Sequence, residues 1–373
     1  MRLEDLFRHV VDAGGSDLIL RTNGRPAMRV NGEVRFLSDI LLKPAMAEEI
    51  LKRVLDRRAQ ELFFKTGEAD SAFDVEGAGR FRVNVFRQRG KLGFVCRHVK
   101  SNVPLLGDLM LPTDQLIKLA KLQRGIVLVT GIAGSGKSTT LAAMINWLNQ
   151  NERRHIVTME DPIEFMFEDQ LCTINQREVG VDTLSFAAAL KSVVRQAPDV
   201  IMVGEMRDQD TIRAALQAAE TGHLVFSTLH TVNAVQTVER IISFFEPHHH
   251  DLIRNQLAMM LEGVVSQRLI PTSDGEGRIP AVEILLSTPT TRDMLAEGRT
   301  RELGKAIHEG AEYFGSMTFN QSLVRLIKMK AISLEDAMKA ADNPDELKLE
   351  LRGISKGTRP SSSGSYDKVA TIF

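Results

Sequence analysis

The sequence predicts two domains, a small α+β domain over residues 1–100 and an α/β nucleotide-binding core over 113–353, and three observations carry that prediction. Short apolar runs, IVLVT, HIVTM, DVIMV and LVFST, recur between helical stretches after residue 113. A parallel sheet covered on both faces requires strands of this kind. The first run leads into Gly131-Ile-Ala-Gly-Ser-Gly-Lys137-Ser138, which matches G-x-x-x-x-G-K-[ST] in the strand-loop-helix setting that motif needs. Finally, 373 residues exceed what one hydrophobic core usually holds. The stretch 101–112, SNVPLLGDLMLP, has two prolines, a glycine and no periodicity, and supplies the linker.

The elements follow in order. Leu3, Leu6, Phe7, Val10 and Val11 recur at helical spacing and predict a first helix, which Gly14 and Gly15 stop. DLILRT and AMRVNGEV read as strands, with Asn31-Gly32 as a hairpin turn. A helix is expected across 44–64, then two strands, GRFRVNVFRQ and KLGFVCRHV. A helix around 113–122 opens the second domain, and the four apolar runs alternate with helices after it. From about residue 250 the pattern turns helical, with Leu252 to Leu269 expected as one amphipathic helix and more helices across 289–352. Residues 354–373, rich in serine and glycine, read as a flexible tail.

Composition narrows the function classes. At 43% hydrophobic and 25% charged residues the chain is neither disordered, collagen-like nor a coiled coil. A formal net charge of -1 gives no general positive field, so no nucleic-acid partner is expected. Cys96 and Cys172 stand far apart, without the spacing of a zinc site or a disulfide framework, which suits a reducing compartment. The N-terminal stretch has charges within its apolar pattern and no cleavage site, and no run of about 18 apolar residues occurs. A cytoplasmic chain that reaches a membrane only through a partner is the expectation.

The motifs point to phosphate chemistry. Glycines at 131, 134 and 136 allow backbone N–H groups to turn inward around phosphates, together with those of Ser135 and Thr139. Lys137 reaches the outer phosphates and Ser138 can hold Mg²⁺, so ATP and Mg²⁺ are the expected ligands. Asp199 to Glu205 is an apolar strand ending in an acid, the Walker B arrangement, which makes Glu205 a metal-side candidate. Glu160, Asp161 and Glu164 crowd three carboxylates into five residues; Mg²⁺ and water handling is one reading, a solvated turn the other. His223 and His230 flank LVFSTL, either sensing phosphate or serving structure. No function attaches to His248-His249-His250. Arg80, Arg82, Arg87, Arg89 and Arg97 cluster on the last two strands of the first domain, as guanidinium donors for phosphoryl transfer or as a solvated basic face.

GIAGSGKST, MEDPIEF, RQAPDVIMVGEMRD and AAETGHLVFSTLH, in that order, resemble the Walker A, Asp box, Walker B and His box of type II and type IV secretion ATPases. GGSDLIL resembles the G-G-S-D-L-H opening of the PilT/PilU group of type IV pilus retraction ATPases. The resemblance implies a PAS-like N-terminal domain and a RecA-like C-terminal domain in a homo-hexamer. Such a ring hydrolyses ATP at the cytoplasmic face of the inner membrane to retract a pilus, docks on a platform protein and can work beside a paralogous retraction ATPase. By match to the motifs, Glu164 would be the catalytic base and Glu205 would act through Mg²⁺. His223 and His230 would contact nucleotide or the subunit interface, and Arg82 and Arg97 would be arginines acting in trans. Ile19 stands where the opening usually carries histidine, and TTRDMLAEG at 290–298 stands where many retraction motors carry A-I-R-N-L-I-R-E. A PilU-like accessory motor is therefore one alternative. An extension or type II secretion assembly ATPase is the other, though two distant cysteines cannot build the zinc site common among those.

Overall fold

The computed structural model describes residues 2–30, 32–99 and 102–353. The expected tail, 354–373, and Asn31 of the expected hairpin turn lie outside the described residues. The chain separates into two compact units: residues up to Val103 with Pro162–Glu168 and Gly180–Asp182, and the remainder from Pro104 onward.

The first unit opens with α1 (Leu3–Asp12), β1 (Asp17–Arg21), β2 (Ala27–Val30) and β3 (Glu33–Phe36). It continues with α2 (Pro44–Val54), α3 (Arg57–Thr66), β4 (Glu68–Val75), β5 (Gly79–Gln88) and β6 (Lys91–His98). The strands form one antiparallel sheet in the order β3-β2-β1-β6-β5-β4. Alternation decides its faces. Phe81, Val83 and Val85 of β5 and Leu92, Phe94 and Cys96 of β6 enter a core with Phe7 of α1, Ile50 of α2 and Phe63 of α3. Arg82 and Arg97 project from the opposite face. The helix expected across 44–64 is two helices, because Asp56 caps α3 by accepting a 2.7 Å hydrogen bond from the Ala59 N–H.

In the second unit α4 (Thr113–Ala120) precedes β7 (Gly125–Thr130), α5 (Lys137–Asn151), β8 (His155–Glu160), β9 (Thr173–Glu178) and α6 (Phe186–Val193). Then come β10 (Val200–Val203), α7 (Gln209–Glu220), β11 (Leu224–Leu229), α8 (Ala234–Ser243), α9 (His250–Met260), β12 (Leu261–Pro271) and β13 (Arg278–Leu286). Six short helices follow, α10 (Pro289–Ala296), α11 (Leu303–Glu309), α12 (Ala311–Phe314), α13 (Phe319–Lys328), α14 (Leu334–Ala340) and α15 (Pro344–Leu351). The sheet runs β13-β12-β7-β11-β10-β8-β9, parallel throughout except for β13. The four apolar runs form its centre, and every residue of β7, β10 and β11 is buried.

The helix expected from Leu252 to Leu269 is corrected. Helix α9 ends at Met260 and the chain continues as β12, paired in parallel with β7 and antiparallel with β13. Pairing on both edges outweighs the local helical period in that stretch. Residues of α13, α14 and α15 bury a smaller core against Ile270 and Ala281 of the β12–β13 hairpin.

Candidate functional site

The phosphate-binding motif lies where β7 gives way to α5, at the C-terminal edge of the parallel sheet, the edge at which such sheets receive ligands. Gly131, Gly134 and Gly136 all have positive φ, at 147°, 75° and 90°. A Cβ at Gly131 would run into the Ser135 hydroxyl and lie 2.5 Å from the Gln267 carbonyl oxygen, so the loop is walled too tightly for any side chain there. Gly136 is the N-cap of α5 and offers no side-chain cap, which leaves the helix N-terminal donors to a ligand. Lys137, 8% exposed, lays its Nζ on the Gly131 and Ile132 carbonyls at 2.9 and 3.0 Å. The Ser135 hydroxyl is buried and meets no hydrogen-bond partner, so the cradle holds a polar group that only a ligand or solvent can satisfy. Ser138 and Thr139 are half-buried in the first turn of α5.

Strand β12 buttresses this loop. The Thr130 hydroxyl donates to the Ser266 hydroxyl at 2.9 Å, and the Gln267 amide donates to the Thr140 hydroxyl at 2.9 Å. Gln267 escapes the sequence reading because it sits in the stretch whose spacing suggests a helix.

Glu205 follows β10 at the same edge of the sheet and is 8% exposed. One carboxylate oxygen pairs with Arg207 at 2.5 Å; the other lies 3.4 Å from His230 Nε2. The loop is tied to β11 by a Met206 N–H donated to the Thr228 carbonyl at 3.1 Å and a Thr228 hydroxyl donated to the Gly204 carbonyl at 2.6 Å. A carboxylate and the Ser138 hydroxyl are hard oxygen donors, the set that Mg²⁺ prefers. Among the described residues no group of three or more histidines, cysteines and acids gathers as a metal cluster, so any such ion would keep most of its own water.

The three carboxylates after β8 do not stay together. Glu160 is 7% exposed and accepts from the Thr158 hydroxyl at 2.6 Å and the Gln176 amide at 3.2 Å. Asp161 and Glu164 are exposed, and the segment Pro162–Glu168 carrying Glu164 groups with the first unit.

His223 and His230 part company too. His230 stands at the ligand edge beside Glu205, whereas His223 precedes β11 at the opposite edge, its carbonyl accepting from Gly125 at the start of β7. The six residues of β11 lie between them and, at about 3.3 Å per residue, set their backbones roughly 20 Å apart. The His223 ring nitrogen Nδ1 rests 2.9 Å from the Ala218 carbonyl and 3.1 Å from the Thr221 hydroxyl. Of the two expectations for His223, nucleotide or subunit interface, this position at the far end of β11 favours the interface, since one strand of a parallel sheet does not bring both of its ends to one ligand.

The arginine cluster resolves into distinct roles. Arg80 pairs with Asp74 at 3.0 Å, Arg87 stacks its guanidinium 5.2 Å from the Phe63 ring centre, and Arg89 forms the β5–β6 turn at φ 50°. Arg82 and Arg97 are direct cross-strand partners. Arg97 also stands opposite Asp17 of β1, whose carboxylate accepts from Arg97 Nε at 2.8 Å.

Comparison with known proteins places this arrangement. A family model described as Type II/IV secretion system protein matches residues 95–303. The Type IV pilus ATPase PilU of Pseudomonas aeruginosa is 42% identical over 352 residues, 94% of this chain and 92% of that protein. This chain belongs to the type II/IV secretion ATPase family, in its PilT/PilU group. The Type IV pilus retractation ATPase PilT of the same species is 40% identical over 345 residues, 92% of this chain and 99% of PilT. The crystal structure of the pilus retraction motor PilT with bound ADP shares the fold at a TM-score of 0.84 and 40% identity, covering 93% of this chain and 99% of that one. The Legionella pneumophila ATPase DotB does so at 0.78 and 26% identity, over 95% and 96%. Fold and ATPase membership thus agree with the motif order.

Proposed function

We propose that this chain is one subunit of a hexameric motor that hydrolyses ATP to retract a type IV pilus. The observation that carries the reading is the glycine-walled cradle at the end of β7, with Lys137 laid across it and the Ser135 hydroxyl unsatisfied inside it. Relatives named for pilus ATPases, at 40% and 42% identity, supply the machine in which such a cradle works.

Arriving phosphates would take over the donors of Lys137 and the N–H groups of Gly134, Gly136, Ser138 and Thr139, and would draw the Ser135 N–H from the Ile132 carbonyl, which it meets at 3.2 Å. Ser138 and Glu205 would hold Mg²⁺, which when bound neutralises charge on the β- and γ-phosphates. Glu164 would accept the proton of the attacking water, and His230 would follow changes at Glu205 from across the pair. Arg82 and Arg97 would meet the phosphoryl group bound by a second copy of the chain. That shared site accounts for a ring of six, with the first unit as a PAS-like module and the second as a RecA-like one. Membrane attachment would pass through a platform protein at the cytoplasmic side of the pilus base. No helix among the described residues is long and apolar enough to cross a membrane.

Deleting the gene tests the reading: cells should keep their pili and lose twitching, whereas cells without pili would make this an extension or secretion assembly ATPase. An accessory, PilU-like role is the second reading. It rests on TTRDMLAEG, which forms most of α10 in place of A-I-R-N-L-I-R-E. In that case twitching should also require a paralogous retraction ATPase, and this chain supplied alone should not restore it.

A further inference from the structure

The most deeply buried acid on the sheet face opposite the first unit's core is Asp17, at 3% exposure. Nothing in the phosphate-binding motifs explains it. An unpaired carboxylate so placed would be costly, and three neighbours satisfy it. The Ser16 hydroxyl donates at 2.7 Å, Arg97 Nε donates at 2.8 Å, and Arg29 Nε stands 3.6 Å away. The strand register explains the grouping: Arg29 and Arg97 are the cross-strand partners of Asp17 on either side, and Arg82 is the next partner beyond Arg97. One acid therefore faces a row of three guanidinium groups, and the row keeps a surplus of positive charge.

How Asp17 holds Arg97 matters as much as that it holds it. The hydrogen bond runs from Nε, the innermost of the guanidinium nitrogens, while the side chain remains 62% exposed. The outer edge, with both Nη groups, makes no hydrogen bond among the described residues. That edge presents two parallel N–H donors, the geometry that fits two oxygens of a phosphate. Arg29, by contrast, commits an Nη to the Gly32 carbonyl at 2.8 Å and serves the carboxylate from the side.

We propose that Asp17 is a positioning residue for Arg97, gripping its inner nitrogen so that the outer edge is fixed for the phosphoryl group of a nucleotide bound by a second copy of this chain. The proposal rests on the reading that Arg97 acts in trans, and the experiment separates the two. Asp17→Asn keeps the size and one acceptor oxygen but removes the charge. Rings of Asp17→Asn, Arg97→Ala and the double variant are compared for ATP turnover, KM for ATP, melting temperature and ring mass.

Arg97→Ala should lower kcat by about 10³, the lower end for a positioned arginine. Asp17→Asn should lower it by about tenfold or more with KM within about twofold of the parent, because its own P-loop is untouched. The double variant should be no slower than Arg97→Ala, since a positioning residue has nothing left to position. Full turnover in Arg97→Ala overturns the trans-arginine reading itself. A large loss in Arg97→Ala with full turnover in Asp17→Asn overturns the positioning role alone, as does a further loss in the double variant, which marks Asp17 as merely structural. If Asp17→Asn does not form rings, Arg97→Lys carries the test. One ammonium cannot both pair with Asp17 and reach a phosphate, so turnover should fall nearly as far as in Arg97→Ala, and a retained rate overturns the proposal.

Discussion

Glu164 and Glu205 carry the same functional group in different settings, and the roles proposed for them differ with those settings. Glu205 is nearly buried and already paired with Arg207, with His230 near its other oxygen, so its carboxylate is fixed in place and suited to holding a cation. Glu164 is exposed and makes no such pair among the described residues, which suits the proposed base that must meet water. Glu164→Gln should therefore keep nucleotide affinity and lose about 10² to 10⁴ in rate, the usual worth of a general base. Glu205→Gln should instead raise the Mg²⁺ concentration needed for half-maximal nucleotide binding. Titrating a fluorescent nucleotide with Mg²⁺ and measuring turnover at saturation checks both; loss of chemistry confined to Glu205→Gln at saturating Mg²⁺ would exchange the two roles. Both acids are legible in the sequence, but the Arg207 partner that separates them is not, because a pairing two residues away depends on how the loop after β10 turns.

Among elements, the junction of β7 and α5 is the most sharply specified. Gly131 has a backbone conformation that other residues avoid, and the space a side chain would need belongs to Ser135 and to the Gln267 backbone. Gly131→Ala should weaken nucleotide binding by at least about tenfold and lower the melting temperature, while Gly134→Ala, with open space around it, should strain only the loop. Isothermal titration with ADP and thermal melts measure the contrast, and equal losses in the two variants would remove the packing argument. The loop is readable because glycine spacing encodes backbone conformation directly. Strand β12, which buttresses it, is not. LEGVVSQRLIP carries apolar residues compatible with either period, and only its two neighbouring strands decide for the extended form.

At the scale of the whole molecule, buried charge and assembly set the expected behaviour. Glu283 on β13 accepts the Ala234 N–H at 2.8 Å, and burial pushes its carboxyl up to about 7 from 4.5. A raised carboxyl adds stability below its unfolded value, and that stability is lost as pH climbs through about 7. Glu283→Gln keeps the acceptor oxygen without the charge, so at pH 8 it should melt higher than the parent, with the difference vanishing near pH 4. Melting curves across that range check the sign. The proposed assembly draws on the loop after β7, which contains Lys137 but no arginine. If Arg82 and Arg97 complete a neighbour's site, ATPase activity should rise with protein concentration as rings form. Arg82→Ala and Lys137→Ala subunits, each inactive alone, should then recover part of the activity when co-assembled. Mixed rings as inactive as their components would return the arginine to the second unit, with Arg195 and Arg207 as the first to test.

By itself the sequence determined the glycine-walled loop, the central parallel strands and the order of the acidic and histidine motifs, because glycine spacing, apolar runs and capping residues act over a few neighbouring positions. Only the tertiary structure decided which of those motifs share a place. It put His230 beside Glu205 and left His223 a strand's length away, turned a presumed helix into the strand behind the loop, and aligned Asp17 of β1 with Arg97 and Arg82 of a hairpin far from it in the chain. The physical reason is that strand register and sheet order are set by packing and hydrogen bonding between segments far apart in sequence, and no local pattern carries that information.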